Sequence, residues 1–383
     1  MNKVSRILLV ALVACIAGGM WAATPREIVN SLKQRIAPDK RTAVWDVKTV
    51  SQKGVLTIVG TVGTADLKDA VTAEFQKNGY SKISNNLIVL ENAVPEGKRW
   101  AIVKLGLASL RCEGAHSAEM ATQAIMGTPV KVLEYDADDW CRVVTPDDYI
   151  SYVPSSSISF KTDDEMAQWR NADRYIVTTY CTRLVTEPKG DETITDLTLG
   201  CILEYKGEKK GWVCLATPDG RVGYVEKESV ESLNTWKQQS FNADLIERTA
   251  RRMMGSGYLW GGTSTKVTDC SGLSKISYFS NGIILQRDAS QQALTGEKFT
   301  DYHDAKLGDL LFFGNSKTGR VTHVGIYLRD GKYIHCSGQV KINSLDPKDP
   351  AYLYSTLSIS RIDGKIGTKG ITTVAQHKWY FDN

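Results

Sequence analysis

The apolar positions of this chain change period several times, and each change marks a new unit. The first stretch has no period: 7–14 is unbroken apolar sequence, preceded by Lys3 and Arg6 and followed by Ala17, Gly18, Gly19, Ala22 and Ala23. Polar sequence begins at Thr24. This is the basic, apolar, small-residue order of a secretory signal, too short to span a bilayer comfortably. A helical period follows over 25–35, with Ile28, Val29, Leu32 and Ile36 on one side. Apolar runs at 44–47 and 55–60 predict strands, 65–77 returns to helical spacing, and 83–90 reads as a strand. The predicted order is α-β-β-α-β.

The pattern then repeats. Trp140-Cys-Arg-Val-Val-Thr-Pro-Asp-Asp-Tyr-Ile-Ser-Tyr-Val153 aligns without gaps to Trp212-Val-Cys-Leu-Ala-Thr-Pro-Asp-Gly-Arg-Val-Gly-Tyr-Val225, with six of fourteen positions identical. Each copy follows a Gly and an apolar run and predicts strand, Thr-Pro-Asp turn, strand. Two copies within 140 residues predict two small β-barrels, at 98–170 and 174–236. From Asn242 the texture shifts to helices at 245–254 and 271–279 and strands at 310–313, 323–328 and 332–335.

Composition narrows the picture. At roughly 100–200 residues per domain, 383 residues predict two to four domains. With 42% hydrophobic and 23% charged residues, bulk disorder is excluded. The formal charge is +4; without Lys3 and Arg6, 45 basic residues face 43 acidic ones. Nothing there points to nucleic acid. Eight Cys are too few for a disulfide scaffold. Bridges between Cys112 and Cys141, or Cys201 and Cys214, are open on spacing alone.

One Cys stands apart. Cys270 falls at the start of a predicted helix, where the dipole stabilises a thiolate. His323 and His335 lie on strands joined by Arg329-Asp330-Gly331, a hairpin turn. A thiol nucleophile needs a base, and the base needs an orienting group. Zinc is disfavoured, because no Cys-x-x-Cys or His-x-x-x-His spacing accompanies them. His303 and His377 read as ordinary loop or surface residues.

Tyr258-Leu-Trp260-Gly261-Gly262, Asp269-Cys270-Ser271-Gly272, Gly308-Asp309-Leu310-Leu311-Phe312-Phe313, Thr322-His323-Val324-Gly325-Ile326-Tyr327 and Ile334-His335 occur in one order. The run resembles the NlpC/P60 family of papain-like cysteine peptidases, over 240–383. The resemblance implies Cys270 as nucleophile, His323 as base and His335 as its orienting partner. It implies the Cys270 backbone N–H as oxyanion donor, helped by Tyr258, with Trp260 positioning substrate. Cys336 then points to the other face of its strand. No metal or cofactor is implied.

The barrels resemble bacterial SH3 (SH3b) modules, and residues 24–95 are similar to the BON family of small α/β modules, although a generic α+β module has the same pattern. The whole is expected to be α+β and multidomain: a leader at 1–23, the α/β module, two SH3-like barrels, and a papain-like domain with helices on a five- or six-stranded antiparallel sheet. Two SH3b modules before such a domain resemble γ-D-glutamyl-L-diamino acid endopeptidases, or dipeptidyl-peptidases VI. These cut peptidoglycan stem peptides from a free N-terminal L-Ala. That likeness implies substrate contacts at Glu119, Tyr149, Asp269, Ser271, Asp288 and Ser290. Glu119 also fits a solvated helix residue, Tyr149 a barrel-surface aromatic, and Asp269 and Asp288 helix caps. An N-acetylmuramoyl-L-alanine amidase, a D,L-endopeptidase on intact wall, and a non-catalytic wall-binding protein are the alternatives. The leader implies an exported, periplasmic protein, and a monomer is expected. Leu12-Val13-Ala14-Cys15 resembles a lipobox, which would tether the protein to a membrane through a lipidated Cys15; cleavage after Gly19, Ala22 or Ala23 is the other exit.

Overall fold

The computed structural model describes residues 23–135 and 139–382. The leader up to Ala22, Cys15 included, lies outside the described residues.

The N-terminal unit has the predicted element order. Helices Pro25–Ile36 and Ala65–Lys77 lie against a three-stranded sheet. Trp45–Gln52 pairs antiparallel with Val55–Val62, which pairs parallel with Ile83–Val89. The first helix begins with a capping box between Thr24 and Glu27 and has Pro25 where no N–H is needed. Ile28, Val29 and Leu32 bury against Leu56, Ile58, Val71, Phe75 and Leu87.

The sequence repeat becomes a structural repeat. The first barrel orders its strands Ile158–Lys161, Trp100–Val103, Pro129–Tyr135, Trp140–Val144, Ile150–Pro154, Leu107–Arg111 and Met120–Ile125. The second has the corresponding strands in the same order: Val230–Ser232, Arg174–Val177, Ile202–Lys209, Trp212–Ala216, Val222–Glu226, Cys181–Val185 and Thr193–Thr198. The Thr-Pro-Asp turns are built alike. Thr145 Oγ1 donates to Asp147 Oδ1 at 2.5 Å, and Thr217 Oγ1 to Asp219 Oδ1 at 2.6 Å. The next residue turns left-handed in both, Asp148 at φ 61° and Gly220 at φ 88°.

The C-terminal unit packs helices Ala243–Arg252 and Cys270–Phe279 on a six-stranded antiparallel sheet. Its order is Glu297–Phe299, Ser358–Arg361, Leu310–Asn315, Arg320–Tyr327, Lys332–Ser337, Gln339–Ser344. Leu273 and Ile276 of the second helix bury against Phe312, Val324, Ile326, Ile334 and Cys336. Strand alternation therefore puts Cys336 in this core and His335 on the opposite face, beside Tyr333 and Tyr354.

Neither disulfide forms: Cys112, Cys201 and Cys214 are free thiols. The Cys201 sulfur instead packs in the second barrel's core and donates to Gly106 O at 3.5 Å. His377 is the loop residue expected. It is half-buried, its pKa lowered by that burial, with the backbone of Pro146 as a hydrogen-bond partner.

The two turns differ in what they meet. Asp147 Oδ2 accepts from Lys275 Nζ of the Cys270 helix at 2.7 Å, with both side chains largely covered. Asp219 pairs with Arg221 near solvent. Asp147→Ala would leave Lys275 buried without its carboxylate and should cost about 3–5 kcal/mol. Asp219→Ala should cost about 1 kcal/mol or less. Denaturant midpoints of the two variants measure the contrast.

Candidate active site

Cys270 is the first residue of its helix. Asp269 caps that helix, its Oδ1 accepting from Gly272 N at 2.7 Å. Its Oδ2 accepts from Gly261 N at 2.9 Å, which ties the 258–262 turn to the same point. Gly272 is required here, since a Cβ would lie 2.0 Å from Gly262 O. Arg287 is fully buried and grips Asp269 with both terminal nitrogens, at 2.6 and 3.2 Å. It also donates to Ser271 Oγ at 2.8 Å and, through Nε, to Thr122 Oγ1 of the first barrel at 2.9 Å. Asp269 and Ser271, expected to touch substrate, are buried and engaged in this cluster.

The strand register brings the histidines together. His323 Nε2 lies 2.7 Å from His335 Nδ1, and His335 Nε2 lies 2.8 Å from Asn343 Oδ1. Asn343 Nδ2 donates to Ala351 O at 2.7 Å, so its oxygen is the atom turned to His335. His335 must then donate from Nε2 and accept at Nδ1. His323 donates from Nε2, and its Nδ1 keeps a lone pair. Asn343 is a member of this chain that sequence reasoning missed. Its signal was the Ser337-Gly338-Gln339 turn: His335 pairs with Lys341, which places Asn343 on the diagonal.

Burial sets the charges. It pushes the Cys270 thiol up to about 11, with Asp269 adding to the effect. The Val324 backbone N–H, next to His323, acts in the other direction. The expected thiolate from the helix dipole is therefore overridden at rest. Burial, then the neighbouring His335, holds His323 down to about 3; burial also holds His335 down to about 4. Thiol and imidazoles are all neutral near pH 7. Burial and the adjacent Cys270 raise the Tyr258 phenol, so it remains a hydrogen-bond donor.

The first barrel meets the peptidase unit close to this cluster. Tyr149 is buried and donates its hydroxyl to Asp288 Oδ2 at 3.1 Å. Asp288 precedes the short helix Ala289–Gln292, and Gln291 Oε1 accepts from its backbone N–H at 3.1 Å. Glu119 is neither buried nor helical. It lies in the loop before Met120–Ile125, and Trp260 Nε1 donates to its Oε1 at 2.7 Å. Ser290 Oγ accepts from Arg41 Nη1 at 3.0 Å, a partner from the N-terminal unit that nothing in the sequence pattern indicated.

Comparison with known proteins bears on the units rather than on the site geometry. Residues 255–361 match the NlpC/P60 family, and residues 110–158 match the bacterial dipeptidyl-peptidase Sh3 domain. The chain is 29% identical over 264 residues to dipeptidyl-peptidase 6 of Lysinibacillus sphaericus, covering 66% of this chain and 94% of that protein. It is 28% identical to a gamma-D-glutamyl-L-lysine dipeptidyl-peptidase of Bacillus cereus, over 57% of this chain and 67% of that one. In fold it is similar to a crystal structure of an NlpC/P60 family protein from Bacillus cereus, with TM-score 0.61 and 22% identity, covering 68% of this chain and 99% of that one. Sequence motifs and family match agree: the chain carries an NlpC/P60 cysteine peptidase domain preceded by a bacterial SH3 domain.

Proposed function

We propose that the protein is a cell-wall endopeptidase that cuts the γ-D-Glu–diamino acid bond of peptidoglycan stem peptides, counting from an N-terminal L-Ala. One observation carries the choice of bond. Tyr149 of the first barrel donates to Asp288, the residue after the Arg287 that holds Asp269 beside Cys270, so a peptide bound at Cys270 would meet this polar contact with one end. A carboxylate, a phenol and the nearby Glu119 are acceptors suited to an ammonium. The names of the two relatives, dipeptidyl-peptidase 6 and gamma-D-glutamyl-L-lysine dipeptidyl-peptidase, support a cut two residues from that end. The leader pattern supports export to the periplasm, where such peptides occur.

In this reading His323 Nδ1 takes the Cys270 proton as the sulfur attacks the scissile carbonyl. The tetrahedral oxyanion is met by the Cys270 N–H, unpartnered in the helix ladder, and by the Tyr258 hydroxyl. The imidazolium formed on His323 keeps its Nε2–H on His335 and returns the Nδ1 proton to the leaving amine. The resulting thioester is hydrolysed by water. Asn343 fixes the tautomer of His335 and, through it, that of His323.

Cys270→Ala and His323→Ala should reduce hydrolysis of L-Ala-γ-D-Glu-diaminopimelate to background, read as release of the dipeptide by mass spectrometry. Muropeptide release from whole sacculi with the tripeptide left intact would favour the amidase or D,L-endopeptidase instead.

Asn343→Leu should lower kcat by about 10–100-fold with KM little changed, the scale of a lost orienting partner. A change in KM alone would assign Asn343 to substrate binding.

The pH profile follows from the two histidines. A protonated His323 cannot accept the thiol proton, and its depressed pKa keeps it unprotonated well below the ordinary 6.5. Activity should therefore stay level from pH 7 to 5 and fall only towards pH 4, where His335 and then His323 protonate. An acid limb centred near 6.5 would contradict this.

A further inference from the structure

The polar contact at Asp288 is not built by the barrel and the peptidase unit alone. The turn at 39–42 in the N-terminal unit reaches into it. Arg41 Nη1 donates to Asp288 Oδ2 at 2.8 Å, the same oxygen that accepts from Tyr149, and to Ser290 Oγ. Asp39 holds the guanidinium from the other side, Oδ1 accepting from Nε at 2.8 Å and Oδ2 from Nη2 at 2.6 Å. Gln291 Nε2 donates to Asp39 Oδ2 at 3.2 Å, and Ile150 N donates to Arg41 O at 2.7 Å. The Arg41 side chain is two-thirds covered. Lys40 brings a second cation to this end: its charge acts on the Cys112 thiol together with those of Glu119 and Asp288.

A peptide's terminal ammonium needs what Arg41 already holds, a carboxylate oxygen flanked by hydroxyls. Two cations on one carboxylate oxygen repel each other. The guanidinium can leave Asp288 without becoming an unpaired charge, because Asp39 still grips it.

We infer that Arg41 competes with the substrate's terminal ammonium for Asp288, and so sets how strongly the enzyme selects amine-terminated over amine-blocked peptides. The inference rests on the reading above that the peptide N-terminus lies at Asp288. Arg41 is a specificity residue supplied by a different unit from the one that carries the nucleophile.

The test is calorimetric binding of the product dipeptide L-Ala-γ-D-Glu and of its N-acetyl form to the full chain. Arg41→Gln should tighten the free-amine dipeptide about tenfold, equivalent to about 1.4 kcal/mol, and leave the N-acetyl form little changed. Arg41→Lys keeps a cation there and should bind the free-amine form as weakly as the native protein does. Unchanged or weaker binding of the free amine to Arg41→Gln, or equal tightening of both forms, overturns the inference. The cleavage site of the tripeptide separates the two failures. If the γ-D-Glu bond is cut but Arg41→Gln does not discriminate, only the inference falls. If another bond is cut and neither dipeptide binds, the reading of the groove end falls and the inference falls with it.

Discussion

The buried pair between Arg287 and Asp269 is the constraint on which the site depends. Asp269 has four tasks at once: it caps the Cys270 helix, holds Gly261, accepts from Ser271 and neutralises Arg287. Arg287 extends the cluster to Thr122 in the first barrel. Two ions with these many partners are acceptable in a dry interior, whereas either alone would cost about 3–5 kcal/mol. The pair therefore specifies one arrangement of three segments: the nucleophile's helix start, the turn carrying Tyr258 and Trp260, and the barrel wall. Glycine at 272 is the steric side of the same constraint, because only a residue without Cβ lets helix and turn approach this closely.

The duplicated barrels show how a repeat is divided between scaffold and function. Both copies keep the Trp strand and the Thr-Pro-Asp turn, and both fold in the same strand order. What differs is the residue after the turn. Tyr149 in the first copy reaches Asp288, while the aligned Arg221 in the second donates to the Lys104 backbone carbonyl at 3.1 Å. The first copy's Asp147 meets a lysine of the Cys270 helix; the second copy's Asp219 meets its own neighbour Arg221. One barrel ties its turn to the peptidase unit, while the other keeps its turn's ion pair to itself.

Legibility in the sequence follows the range of the interaction. The helix Ala65–Lys77 and the barrel strands are readable because periodicity is a local property of the chain. Cys270, His323 and His335 stand out because their local words are long and ordered. Asn343 is one step further away, legible only once a hairpin register is assumed. The Arg41–Asp288 contact joins residues 247 apart, and no periodicity or spacing encodes which unit's turn meets which groove. Glu119 illustrates the limit in the other direction. The sequence allowed a solvated helix residue there, but Glu119 lies in the loop before Met120–Ile125, and its bond to Trp260 depends on how barrel and peptidase unit dock.

Docking also explains the charge state of the reactive groups. A helix N-terminus in water would favour a thiolate at Cys270, but the same packing that positions the thiol removes its solvent, and burial wins. The imidazoles respond in the opposite sense, since for them the charged form is the protonated one. Burial thus drives sulfur and ring nitrogen towards the same neutral pair from both sides. Such a thiol is shielded from adventitious oxidants, whose target is the thiolate. The burial that keeps Cys270 and the two imidazoles neutral comes from the same packing of helix on sheet that brings them together.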